Sequence, residues 1–239
     1  MKLIAYGDSF TEGAGTRIVS GTSNFKMPNP ENYPFWTDYL QERFGAEKTI
    51  NRGLSGHGND ILLGRLLADM SLIEEGDIIV FQHPYAGRSY LPLDPKFSPE
   101  LFDISTPAHV VTNRLFTWNG PKSDLKNATT PDYHQEWLAK QGYVWQDIVK
   151  TDFEYKYRVR ATHDAHFKSF YNAITFHPLT YLEKTKNIKF IQCNDFEVVG
   201  TFETITTATN GEVEDYHLSW KGNYLFGQYL YNRFKEKYG

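Results

Sequence analysis

The stretch Lys2-Leu3-Ile4-Ala5-Tyr6-Gly7-Asp8-Ser9-Phe10-Thr11-Glu12-Gly13 decides how this chain is read. Residues 3–6 are a continuous apolar run, the pattern of a strand buried on both faces of a parallel sheet. The pattern breaks at Gly7, where a residue without Cβ allows a tight turn and close backbone approach. Asp8 and Ser9 follow, both residues that cap a helix. A strand, a turn and a helix start are therefore expected, with Ser9 at the carboxyl end of the strand. Loops at that end carry the site in open α/β sheets. A serine placed there exposes its hydroxyl beside first-turn N–H groups that stabilise a developing oxyanion. A plain capped turn would use the same letters.

Further along, residues 77–81 and 188–193 repeat the continuous apolar run, and residues 48–51 do so more weakly. Helical spacing appears between them. Phe35, Trp36, Tyr39, Leu40 and Phe44 fall on one side of 34–44, and Ile61, Leu62, Leu66, Leu67 and Met70 on one side of 60–72. Residues 163–182 and 220–238 also read as helices. Strands alternating with helices predict an α/β fold: a three-layer α/β/α sandwich around a flavodoxin-like parallel sheet. A chain of 239 residues suffices for a single domain over 1–239. Residues 85–160, rich in aromatics and proline, interrupt the alternation and are expected as an irregular insertion over the sheet edge.

The far end holds Glu214-Asp215-Tyr216-His217-Leu218-Ser219-Trp220-Lys221-Gly222. A neutral imidazole takes a proton from a serine hydroxyl only when held in the right tautomer, which a carboxylate accepting from Nδ1 achieves. Asp215 and Glu214, two and three residues before His217, are both candidates for that carboxylate.

These blocks resemble the SGNH (GDSL-like) hydrolase superfamily of esterases, thioesterases and carbohydrate acetylesterases. Gly7-Asp8-Ser9 is similar to its nucleophile loop. Asn51-Arg52-Gly53-Leu54-Ser55-Gly56 is similar to its glycine block, and the residues around His217 to its last block. The resemblance implies Ser9 as nucleophile, His217 as base, Asp215 or Glu214 as the triad acid, and the N–H of Gly53 beside that of Ser9 in the oxyanion hole. The sequence departs from the family at the third strand. There Gln82-His83-Pro84 stands where an Asn-bearing G-x-N-D is usual. Gln82, His83 and Asn59 are the candidate replacements, Gln82 or His83 being preferred because they leave the strand near the reacting group. Asn59 is expected instead to cap the 60–72 helix.

Asp8, His57 and Arg88 are candidate substrate contacts. The net charge of −4 gives no basic footprint for nucleic acid. No apolar stretch approaches the roughly 18 residues that cross a bilayer, and a strand beginning at residue 2 leaves no room for a signal peptide. A soluble, cytoplasmic protein is expected. The one cysteine, Cys193, lies in an apolar run and is expected buried and inert. His163 and His166 form an i, i+3 pair without further ligands at metal spacing, so no metal and no organic cofactor is expected. The tail 233–237 is expected as a solvated helix end. Aromatic residues reach 16%, enough to fill a core and also to stack on sugar rings through Trp118, Trp137 or Trp145. The expected substrate is thus a small-molecule or carbohydrate ester, with an O-acetyl sugar favoured and oligomeric state open. A rival is a non-catalytic binding or structural module on the same scaffold, part of a larger assembly such as a viral particle. A nucleotide binder is disfavoured because no phosphate-cradling glycine loop follows the first strand.

Overall fold

In the computed structural model, β1 (Lys2–Gly7), β2 (Lys48–Gly53), β3 (Ile78–His83) and β4 (Lys189–Asn194) form one sheet in the order β2-β1-β3-β4. All three pairings are parallel. Among the described residues the helices are α1 (Ser9–Glu12), α2 (Trp36–Phe44), α3 (Asn59–Asp69), α4 (Asp164–Lys186), α5 (Ile205–Ala208) and α6 (Trp220–Tyr238). The structure describes residues 1–21, 23–55, 58–84, 164–194, 198 and 200–239. The 85–160 segment, with Arg88 and its tryptophans, lies outside the described residues, as do His57, His163 and the side chain of His166.

The chain divides into two compact units. One comprises Met1–Gly56, Asp69–Tyr85 and Phe176–Gly239, the other His57–Ala68 and Ala86–Thr175. The first unit carries the sheet. Every residue of β1 and β3 is buried, which is why those runs are apolar without alternation. Leu3, Ala5, Ile78, Val80, Ile191 and Cys193 pack on Trp36, Leu40, Phe226 and Leu230 of α2 and α6. On the other face Ile4, Tyr6, Ile79 and Phe81 are buried as well, and the Tyr6 ring stacks on Phe81. There Phe176 of α4 packs edge-on to Phe190 of β4. Helices on both faces of a parallel sheet make the expected α/β/α layering. The strand order matches the first four positions of the flavodoxin-like order. Cys193 is buried.

β2 is the edge strand and partly exposed along its length, which explains its weak apolar signal. β3 starts one residue later than its apolar run and ends two later. Asp77 stays outside to accept from Lys2 N at 2.7 Å, whereas Gln82 and His83 pair in register with Cys193 and Asn194. In the second unit, Leu62 and Leu66 of α3 are buried but Leu67, expected on the same side, is 49% exposed. In the tail Lys235, Glu236 and Lys237 are exposed, as expected, while the Phe234 ring is half-buried. Phe234 packs on Phe44 and Tyr238, and Lys237 Nζ donates to Phe190 O at 3.1 Å. Among the described residues no helix is long and apolar enough to cross a membrane.

Candidate active site

The chain reverses its winding between β1 and β3, so their carboxyl ends lie at a topological switch point, the place where open α/β sheets put their sites. Ser9 lies there, as the first residue of α1. Asp8 caps this helix, its Oδ1 accepting from Phe10 N at 3.1 Å, and Gly13 ends it in the left-handed conformation at φ 95°. Gln82 Oε1 braces the turn by accepting from the Thr11 hydroxyl at 2.8 Å and from Asp8 N at 3.3 Å. The hydroxyl expected to be exposed belongs to a residue only 5% accessible. Ser9 has no hydrogen bond through its N–H or hydroxyl among the described residues.

The His217 loop reaches the same place from the other end of the chain. The His217 ring lies 5.2 Å from the ring of Phe10, the neighbour of Ser9, and both Asp215 and His217 come within 3.8 Å of where a Cβ on Gly15 would stand. Asp215 Oδ1 accepts from His217 N at 2.9 Å and sits 2.6 Å from His217 Nδ1. An ionised carboxylate only accepts, so Nδ1 carries the proton and Nε2 the lone pair. Asp215 is fully buried and Glu214 is exposed, so only Asp215 joins the histidine. Burial by itself would raise the Asp215 pKa. Hydrogen bonds, from serine hydroxyls and the His217 N–H, outweigh it and hold the carboxyl below its ordinary value. No hydrogen bond between Ser9 and His217 occurs among the described residues.

The loop is fixed from behind. Thr206 Oγ1 accepts from Asp215 N at 2.7 Å and donates to Asp215 O at 2.8 Å, while Ile205 N donates to His217 O at 2.8 Å. Ser219 then caps α6, its Oγ accepting from Gly222 N at 2.9 Å and donating to Glu203 Oε1 at 2.6 Å.

The expected oxyanion donors differ in what else they bond. The Gly53 N–H is already used, donating to Asn51 Oδ1 at 2.8 Å. Glycine is required there for another reason, because a Cβ would collide with the backbone of Thr11 and Glu12 where β2 meets α1. Gln82 is fully buried and its side-chain carbonyl braces the Ser9 turn, whereas an oxyanion donor would have to be its amide nitrogen. Asn59 is the first residue of α3 and not the residue capping it. His83 differs. It is 4% exposed, its pKa is pushed down to about 4 by burial, and Gln192 Nε2 lies 3.0 Å from its Nε2. An amide nitrogen only donates, so Nε2 accepts and the neutral ring keeps its proton on Nδ1.

Five residues at the site were not foreseen. Ser23 and Thr206 bond Asp215, Ser20 approaches His217 Nδ1, Asn51 captures the Gly53 N–H, and Glu12 Oε2 accepts from Ser55 N at 2.7 Å and from its hydroxyl. Asn51 had a local signal, since Asn side chains often bond the N–H two residues on. The others had none. Among the described residues, no His, Cys, Asp and Glu cluster has the make-up of a metal site.

No protein-family model matches the sequence, and no curated protein matches it. Two solved structures align over nearly the whole chain. One is a G-D-S-L family protein from Desulfitobacterium hafniense DCB-2, at 15% identity and TM-score 0.33, covering 97% of this chain and 98% of that one. The other is a member of the lipolytic protein G-D-S-L family from Veillonella parvula DSM 2008, at 12% identity and TM-score 0.33, covering 98% of each chain. Likeness at this level leaves the roles of the residues to the chain's own geometry.

Proposed function

We propose that the chain is a serine hydrolase of the SGNH (GDSL-like) type that cleaves a carboxylic ester through an acyl-enzyme. One observation carries this: buried Asp215 holds His217 through Nδ1 while the imidazole packs on Phe10, next to Ser9. Ser9 Oγ attacks the acyl carbon and its proton passes to His217 Nε2. That proton leaves with the alcohol as the ester C–O bond breaks. Water then repeats the sequence on the acyl-serine, returning the enzyme and releasing the acid. The Ser9 N–H and the Nδ1–H of neutral His83 are the proposed oxyanion donors, with His83 in place of the missing Asn. The alcohol is proposed to be a carbohydrate and the acyl group acetyl, supported by the aromatic content of the 85–160 segment.

A non-catalytic module on the same scaffold is favoured by two features: the engaged N–H of Gly53 and the lack of a Ser9–His217 hydrogen bond among the described residues. A fluorophosphonate probe separates the two. The hydrolase reading expects labelling that vanishes in Ser9→Ala, whereas an unlabelled wild-type protein overturns it. An ester panel then tests the substrate, with acetyl release from O-acetyl sugars expected to outpace hydrolysis of long acyl esters. In the same assay His83→Ala is expected to lower kcat by about 10²–10³, the usual cost of one oxyanion donor. Full turnover in that variant would remove His83 from the oxyanion hole.

A further inference from the structure

We infer that Ser20 and Ser23 form a two-hydroxyl clip that positions the Asp215 carboxylate for His217, a role that rests on the hydrolase reading of the same site. Asp215 Oδ1 is taken by two donors of His217, its N–H and its Nδ1. The Ser23 hydroxyl donates to Oδ2, the other oxygen. Ser20 Oγ stands 3.5 Å from His217 Nδ1, the ring nitrogen that Asp215 Oδ1 meets. Both lone-pair sets of a fully buried anion are thus engaged, as a desolvated charge requires.

The clip is a built feature. It sits on the turn that follows α1, where Ser20 N donates to Phe25 O, Asn24 N donates to Ser20 O, and Asn24 adopts φ 53° to close the turn. Ser23 N lies 3.5 Å from Ser20 Oγ, which ties the two serines together. The base of the loop is held by Met27 N donating to Gly15 O and by Trp220 Nε1 donating to Met27 O at 2.9 Å. Trp220 opens α6 directly after the His217 loop. The clip and the histidine therefore share one anchor, and the nucleophile helix leads straight into the clip.

Ser20 and Ser23 touch neither substrate nor the reacting atoms; they act through Asp215. Two independent readouts follow. The first is the Asp215 carboxyl titration, followed by carbon NMR and assigned by its loss in Asp215→Asn. In Ser20→Ala/Ser23→Ala its midpoint is expected to rise by about one pH unit, the scale of one lost charge-assisted hydrogen bond. The second is turnover. The double variant is expected to lose about tenfold in kcat with KM nearly unchanged, and the acid limb of its pH profile to move upward. Ser23→Thr, which keeps a hydroxyl, is expected to recover most of the loss relative to Ser23→Ala. Where the double variant does not fold, the two Ser23 variants carry both readouts. An unmoved Asp215 midpoint in a folded variant overturns the clip. A moved midpoint in a protein that shows no probe labelling upholds the clip and overturns the hydrolase reading instead.

Discussion

At each of the three sequence blocks a short polar side chain bonds the N–H two residues ahead. Asp8 accepts from Phe10, Asn51 from Gly53 and Asp215 from His217. Asp and Asn reach this i+2 N–H more readily than other side chains, and the bond turns the chain as a strand or loop ends. At Asp215 the same oxygen also meets Nδ1, so one carboxylate shapes the turn and sets the tautomer. Glu214 has no such geometry and is exposed. Asp215→Asn is therefore expected to lower kcat by about 10³–10⁴, because an amide in that place favours the wrong tautomer. Glu214→Gln is expected to stay within about twofold, as surface changes usually do. Equal losses in the two variants would mean that the carboxylate acts through general charge and not through Nδ1. Ser9, His217 and the pair of acidic candidates were legible from residue type and order. The choice between Asp215 and Glu214 was not, since it depends on which side chain the fold buries. Ser20 and Ser23 were invisible because their partner lies nearly two hundred positions away in sequence.

The elements that were easiest to foresee are those whose burial is uniform. β1 and β3 are buried throughout and read as unbroken apolar runs, whereas edge strand β2 read weakly. α6 coincides with the expected 220–238, an aromatic face repeating along it, and Ser219 caps its start. The junction before α6 carries more than a cap. Ser219 N donates to Glu203 O at 3.0 Å, and the backbone of Glu203 leaves no room for a Cβ on Gly222. This strand-like contact, continued by the Thr204–Leu218 bridge, fixes the chain immediately after His217. Ser219→Ala removes the bonds to both Gly222 N and Glu203 Oε1. It is expected to cost about 1–2 kcal/mol of stability, the range for losing a helix cap. Urea unfolding of the variant checks this, and a cost below about 0.5 kcal/mol would show that the α6 start is held by packing alone.

Over the whole molecule, the sheet that places Ser9 at its carboxyl end also buries an imidazole there. His83 is packed on Phe81, with ring centroids 4.8 Å apart, and burial pushes its pKa down to about 4. Unfolding frees that ring to titrate near its ordinary value of 6.5. Between those two values the unfolded chain binds a proton that the folded chain refuses, so stability falls as the pH is lowered through this window. The loss attributable to His83 is about 2 kcal/mol between about pH 7 and about pH 5. Asp215 acts lower on the scale. Its depressed carboxyl contributes stability above the ordinary Asp value, and that contribution is lost only as the pH falls through its folded pKa, below the His83 window. The two effects therefore separate along one titration. Urea unfolding of wild type and His83→Gln at the two pH values isolates the histidine. The variant is expected to lose about 2 kcal/mol less than wild type on acidification, whatever its stability at neutral pH. Parallel losses in the two proteins would mean that the ring takes up its proton without leaving the fold, and that the edge of the sheet opens to water around it.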